Sequence, residues 1–227
     1  MLSRKVVLKE DNFDMAYTPT TTPVPPWGWT LKKTAAAGSP ALACVSEDDG
    51  CMDFLLEATS EAQILDLFQN DVVNFRWDML QYASFLVQQA VAADAVTTLF
   101  FGLTNARNDA VGSVTRKAIF KVLGSTDTTA VVIDTADGTT TNTNIATGQV
   151  VGATYVEYLI DFTQGLGDVR FYINGARVAA STTFSLAALA GANRCQVNMQ
   201  LQKASGTGVP ESRLSKVAVQ YRTADGA

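Results

Sequence analysis

The chain of 227 residues contains no histidine. That removes the side chain most often used as general base, metal ligand and triad member at neutral pH. Charge is sparse as well. Asp, Glu, Lys and Arg make up 17%, against roughly 25% in an ordinary soluble domain. Thr, Ser, Asn, Gln, Gly and Ala must therefore cover the surface, which suits a protein that buries much of its outside against partners. The 17 basic and 22 acidic residues give a net charge of −5, and no basic run exceeds Arg4-Lys5 or Lys32-Lys33. A nucleic-acid surface, which needs clustered basic residues, is excluded. No apolar run approaches the about 18 residues of a membrane span. The start, MLSRKVVLKED, lacks the apolar core of a secretion signal. These features predict a protein made in a cytoplasm, with no membrane or nucleic-acid partner. Three cysteines, Cys44, Cys51 and Cys195, are an odd number, which argues against a complete disulfide framework. Cys44 and Cys51 flank the turn-like VSEDDG and could face each other across a hairpin, but a cytoplasmic origin favours free thiols.

What the chain has in quantity is period-two alternation. In TYVEYLIDF, Val156, Tyr158, Ile160 and Phe162 alternate with Tyr155, Glu157, Leu159 and Asp161. DVRFYI and the following Asn174-Gly175 predict a strand and a tight type I′ hairpin. In CQVNMQLQ, Val197, Met199 and Leu201 oppose Gln196, Asn198, Gln200 and Gln202, and SKVAVQYR alternates likewise. Such alternation predicts sheets with one dry face and one wet face, the wet faces carrying amides and isolated charges. The near-continuous TTLFFGLTN predicts a central, buried strand, whereas Ala106–Ser113 predicts a polar loop. Thr139–Gly148 is either an exposed edge hairpin or a mobile loop. The stretch after Leu80, through Tyr82 and Phe85 to Gln89, fits a strand or a helix. Ser60–Gln69 starts like a capping box and predicts a short helix or a helical turn. Phe75, Trp77 and Met79 fit one face of a strand, and Ser181–Asn193 fits a short helical turn. The total is ten to twelve strands, hence a sandwich or jelly roll.

Residues 1–40 differ in character. Tyr17–Trp29 reads YTPTTTPVPPWGW and holds four of the six prolines, which favours an extended, polyproline-like path. Two tryptophans in a solvated tail would leave much apolar area in water. The reading is an arm, residues 1–40, that docks on its own chain or on a neighbour through Pro25, Pro26, Trp27 and Trp29, followed by a β-sandwich domain, residues 41–227.

FFGLTNARND, the strand with Ile119-Phe120, the threonine-rich stretch, YLIDFTQGLGDVRFYINGARV and VNMQLQKASGTGVPESRLSKVAVQYR together resemble concanavalin A-like (laminin-G-like) domains. The resemblance covers about residues 70–222. The variant with FGLT upstream and SGT before the last strand looks like structural proteins of tailed bacteriophages. It implies an all-β, antiparallel jelly-roll sandwich with an extended N-terminal arm. It further implies a virion protein that decorates or cements a capsid exterior, assembled in the host cytoplasm, bound to the major capsid protein and to copies of itself, as in a trimer. The alternative it implies is a carbohydrate-binding module on a head or tail fibre, for which Tyr155 and Tyr172, facing away from the expected core, are the stacking candidates.

Relatives of this fold bind Ca²⁺ through clustered loop oxygens, which makes Asn105, Asn108 and Asp109 weak metal candidates. Asn and Asp in such a loop also make Asx-turns. A second loop carries Asp137 and Asn142. Glycosidases of this fold use closely spaced carboxylates. Glu157 and Asp161 share a strand face at about 13 Å, beyond the roughly 5–9.5 Å of a glycosidase pair. Without histidine, cofactor or such a pair, the expectation from sequence is that the chain is not an enzyme and binds no cofactor.

Overall fold

The structure, a computed structural model, describes residues 5–13, 28–45, 50–70, 75–92, 94–191 and 193–223. In chain order the strands are β1 (Val6–Asp11), β2 (Thr30–Ala35), β3 (Ala41–Val45), β4 (Cys51–Leu55), β5 (Gln63–Phe68), β6 (Phe75–Arg76), β7 (Leu80–Val91) and β8 (Thr97–Thr104). They continue as β9 (Arg116–Leu123), β10 (Ala130–Asp137), β11 (Thr141–Val150), β12 (Val156–Asp161), β13 (Arg170–Ile173), β14 (Ala176–Val178), β15 (Arg194–Lys203) and β16 (Glu211–Arg222). Two antiparallel sheets form a jelly-roll sandwich, as the alternation predicts. The first runs β14-β13-β12-β7-β16-β4-β3, with β1 on β16. The second runs β11-β10-β9-β8-β15-β5-β2, with β6 on β15.

The alternating apolar residues meet between the sheets. Phe85 of β7 and Tyr158 of β12 face Phe101 of β8 and Phe120 of β9, with ring centroids 4.8 Å apart for Phe101–Tyr158 and 5.1 Å for Phe120–Tyr158. Phe171 and Phe184 extend the row at 5.3 and 4.9 Å. Offset and edge-on rings at these spacings fill the core and add a quadrupolar term to the area they bury. The hairpin at Asn174-Gly175 has φ of 47° and 75°, the positive pair that a type I′ turn requires.

Several expectations are revised. Ser60–Gln69 holds β5 rather than a helix. Ile64, Leu65, Leu67 and Phe68 suit either period, and the open edges of β2 and β15 pair with the segment along its length, overriding local preference. Leu80–Gln89 resolves as strand and Thr141–Val150 as an edge strand, while Trp77–Met79 forms a 3-10 turn rather than continuing β6. A helical turn does lie at Ala187–Leu189.

The expected arm also differs. Val6–Asp11 pairs with β16 and Thr30–Ala35 pairs with β5, so both of these stretches within residues 1–40 are strands of the sandwich. Trp29 is 1% exposed. It packs against Phe13 at 5.9 Å and donates its indole N–H to Asp11 Oδ2 at 2.8 Å. Its side chain lies inside this chain's own core rather than on a surface for a partner. Pro25, Pro26 and Trp27 lie outside the described residues.

Cys44 and Cys51 do flank a hairpin. Their register, Cys44 opposite Met52 and Val45 opposite Cys51, puts the two thiols on opposite faces, and all three cysteines are free.

Candidate functional site

The second sheet turns a row of polar residues outward, and that face is dry where alternation predicts it wet. On β15, Gln196, Asn198 and Gln200 point away from Val197, Met199 and Leu201 in the core, yet are 1%, 0% and 0% exposed. Across the sheet, Asn198 stands opposite Phe68 and Gly102, Gln200 opposite Asp66 and Phe100, and Gln196 opposite Thr104. Gly102 has φ of 151° and lies against β9 so closely that a Cβ would come within 2.4 Å of the Ala118 carbonyl oxygen. Glycine leaves room on this face beside Asn198.

The cover is the loop between β8 and β9. Its base is closed by the Asn105 N–H donating to the Arg116 carbonyl at 3.0 Å and the Arg116 N–H donating to Asn105 Oδ1 at 3.1 Å. From there the loop folds back over its own sheet. Arg107 reaches across to β5 and donates to Asp66 Oδ2 at 2.5 Å. Gln200 donates to the Asn108 carbonyl at 3.1 Å and to Asp66 Oδ2 at 3.0 Å. Lys117 donates to the Val111 carbonyl at 2.9 Å. Val111 sits in a small apolar cluster with Phe100 and Ile119. Asp109 accepts from Arg107 as well and is 3.4 Å from Lys32 Nζ.

Beneath this cover several polar atoms have no hydrogen-bond partner: both amide atoms of Asn198, Gln200 Oε1, Asp66 Oδ1, Thr104 Oγ1 and Thr30 Oγ1. A buried polar atom left unpaired costs about 1–3 kcal/mol, so a group of them on one face needs a reason beyond folding. Burial pushes the Asp66 carboxyl up to about 6, against the opposing pull of Arg107, Gln200 and Lys32. Lys117 on the same face is pushed down by burial, with Asp134 opposing and Lys121 adding a smaller push the same way. Further along, Lys121 and Asp134 form a buried pair at 2.6 Å.

The residues expected from sequence fall elsewhere or have internal roles. Asn105 and Asn108 accept backbone N–H groups from Arg116 and Ala110, the second an Asx-turn, and Asp109 is in ion pairs. Among the described residues no three acidic, cysteine or histidine side chains come together as a metal site. Asp137 is likewise occupied, accepting N–H groups from Thr139, Thr140 and Ala188, and Asn142 donates to Thr135. Tyr155 and Tyr172 belong to the first sheet's side. Tyr155 leans on the Cys51 thiol, and Tyr172, half-buried on β13, stands opposite Leu159 and Arg177. Neither joins the covered face. The residues that sequence reasoning passed over are Asp66, hidden in the segment read as a helix, and Arg107 and Val111 in the loop read only as polar. The β15 amides were visible as a row.

No family model and no curated protein sequence matches this chain. Solved structures do match its fold, a concanavalin A-like jelly-roll sandwich shared with glucanases and lectin-type domains. The Bacteroides ovatus mixed-linkage glucan GH16 protein, solved with its G4G4G3G product, is 10% identical, with 93% of this chain and 99% of that one covered and a TM-score of 0.62. The Bacillus licheniformis β-glucanase is 12% identical over 93% of this chain and 97% of that one, at 0.59. The Emp47p carbohydrate recognition domain is 8% identical over 93% and 96%, at 0.57.

These neighbours overturn the expectation that the chain is not an enzyme: glucanases are built on this sandwich over nearly its whole length. Glu157 and Asp161, the widely spaced pair, lie on one strand of the first sheet. Asp66, Asp109 and Asp134 lie on the other sheet or over it, and carboxylate chemistry needs no histidine.

Proposed function

We propose that this chain is a carbohydrate-binding protein whose site is the outer face of the second sheet along β5, β15 and β8. The observation that carries the reading is Asn198, fully buried on that face with both its amide nitrogen and its amide oxygen unpaired. An amide offering one donor and one acceptor side by side matches vicinal sugar hydroxyls, which are donors and acceptors in turn. Gln200, Thr104 and Asp66 add further free acceptors beside it, and Phe68, Phe100 and Ile119 supply apolar surface between them. A few convergent polar groups in an apolar setting make a small-ligand site. The neighbours support the chemistry, one bound to a glucan product and another a carbohydrate recognition domain. The resemblance to phage structural proteins adds a setting, a head or tail fibre.

A second reading, glycoside hydrolysis, has its own observation. Asp66 takes up its proton near pH 6, the range of a general acid, and Asp109 shares its arginine. A glycan array and titration with mixed-linkage β-glucan oligosaccharides test both. Binding lost in Asn198→Ala supports the first reading. Reducing ends released by the wild type and not by Asp66→Asn establish the second. No binding to any glycan sinks the carbohydrate assignment.

A further inference from the structure

The cover over this face is held at few points. Within residues 105–115, only Val111 and Val114 are buried, while Asn105 and Arg107 are half-buried and the rest face solvent. Its backbone bonds stay within the loop or at its base: Ser113 to Ala110, Val114 to Val111, and Asn105 to Arg116. Among the described residues, no loop N–H donates to the sheet beneath. What fastens it are side-chain contacts, an exposed Asp109–Lys32 ion pair at 3.4 Å and two buried points. One is Arg107 on Asp66, with Gln200 on the Asn108 carbonyl. The other is Val111 on Phe100 and Ile119, with Lys117 on the Val111 carbonyl.

We infer that residues 105–115 are a hinged cover, turning about the Asn105–Arg116 base, over a site for a neutral, hydroxyl-rich ligand whose floor is Asn198, Gln200 and Thr104. The ligand class rests on the carbohydrate reading; the opening does not. Closure buries Asn198, Gln200, Asp66 and Thr104 with atoms unpaired, so the closed state is held back by the same face it covers. Opening lets water satisfy those atoms, and a ligand's hydroxyls satisfy them in water's place. A loop with few apolar anchors and no ladder bonds to its surroundings opens locally, without unfolding of the sheet. The unpaired floor groups are amides and a hydroxyl, with a cation, Lys117, opposite Thr104, and the amides and hydroxyl offer donors and acceptors in turn to an uncharged sugar.

The test uses thiol labelling of the full chain. In a Cys44→Ser, Cys51→Ala background, the thiol introduced by Asn198→Cys lies under the cover, whereas Cys195, three residues earlier on the same strand, points into the core and reports unfolding. The expected result is labelling at position 198 at least about tenfold faster than at Cys195, as local opening precedes global opening. Val111→Ser, which loosens the apolar anchor without stranding a charge, should speed labelling at 198 and leave the rate at Cys195 unchanged. Equal rates at both thiols, or Val111→Ser speeding both alike, overturn the cover. The ligand is tested separately with a mixed-linkage β-glucan tetrasaccharide, which should associate faster with Val111→Ser than with wild type. Opening seen by labelling, with neither the tetrasaccharide nor any glycan of the array bound by either protein, keeps the cover and overturns the carbohydrate reading.

Discussion

Arg107 closes on Asp66 at 2.5 Å, joining a loop between two neighbouring strands to a third strand on the far side of β15. The carboxylate is fully buried and the guanidinium side chain is 13% exposed. An ion pair with so little water repays its desolvation only with good geometry and additional hydrogen bonds. Here Gln200 supplies one such bond to Asp66 Oδ2, and Asp66 Oδ1 has none. Burial outweighs the pairing, and the carboxyl titrates near 6.

This sets the sign of a pH effect. The folded state holds the Asp66 proton more tightly than the unfolded chain does. The contribution of Asp66 to stability is therefore full below its ordinary value of 3.8 and is lost as pH rises through about 6. Its size is on the order of 3 kcal/mol at most. Urea unfolding at pH 4.5 and 7.5 should show a loss for the wild type that is smaller in Asp66→Asn. A difference between the two pH values that is the same in both proteins would show that Asp66 does not titrate in this window.

Tyr158 is 0% exposed in the aromatic core and its hydroxyl has no partner. Burial pushes its ionisation up. Tyr158→Phe removes a stranded hydroxyl and keeps the ring packing with Phe101 and Phe120, so it should stabilise the protein by about 1 kcal/mol. Denaturant midpoints compare the two, and a loss of stability would reveal a hydrogen bond to the hydroxyl.

Trp29→Ala should cost about 3–5 kcal/mol, the range for emptying a buried aromatic site. Trp29→Phe should cost less, about 1–2 kcal/mol, because it keeps most of the ring area and loses the bond to Asp11. Thermal melts of the isolated protein decide this. Unchanged melts would return Trp29 to the role of an external anchor.

Gly102→Ala sets a Cβ against the β9 backbone at a φ that L-residues rarely adopt. Backbone strain alone costs about 1–3 kcal/mol, and the displacement of β9 should also disturb Asn198. The variant should unfold at lower denaturant and, at temperatures where it stays folded, bind glycan less. A variant as stable as wild type would mean that β8 and β9 separate freely at this point.

Much of the fold was legible because its signals are local. Period-two alternation from Val156 to Tyr221 marked β12, β13, β15 and β16, and Asn174-Gly175 marked the hairpin. The near-continuous apolar run within Thr97–Thr104 marked a strand with neighbours on both sides. The segment around Asp66 was misread because Ile64, Leu65, Leu67 and Phe68 satisfy a helical period equally well, and only pairing with β2 and β15 decides between them. The candidate site was half legible. The amides of β15 stood out as a row, but their burial did not, since it depends on a loop about 90 residues earlier in the chain.

By itself the sequence determined the class of the molecule. Alternation makes amphipathic strands, amphipathic strands must bury one face, and two sheets back to back do so. Tertiary structure decided what lies over the other face. Gln200 and Asp66 are 134 residues apart, and Asp66 and Arg107 are 41 apart. Contacts at that separation leave no periodic trace, because each depends on strand order and register rather than on its chain neighbours. Trp29 was settled in the same way. Its composition marked it as a residue that must be buried, and the pairing of β1 and β2 into the sheets placed it beside Phe13 and Asp11, in its own core.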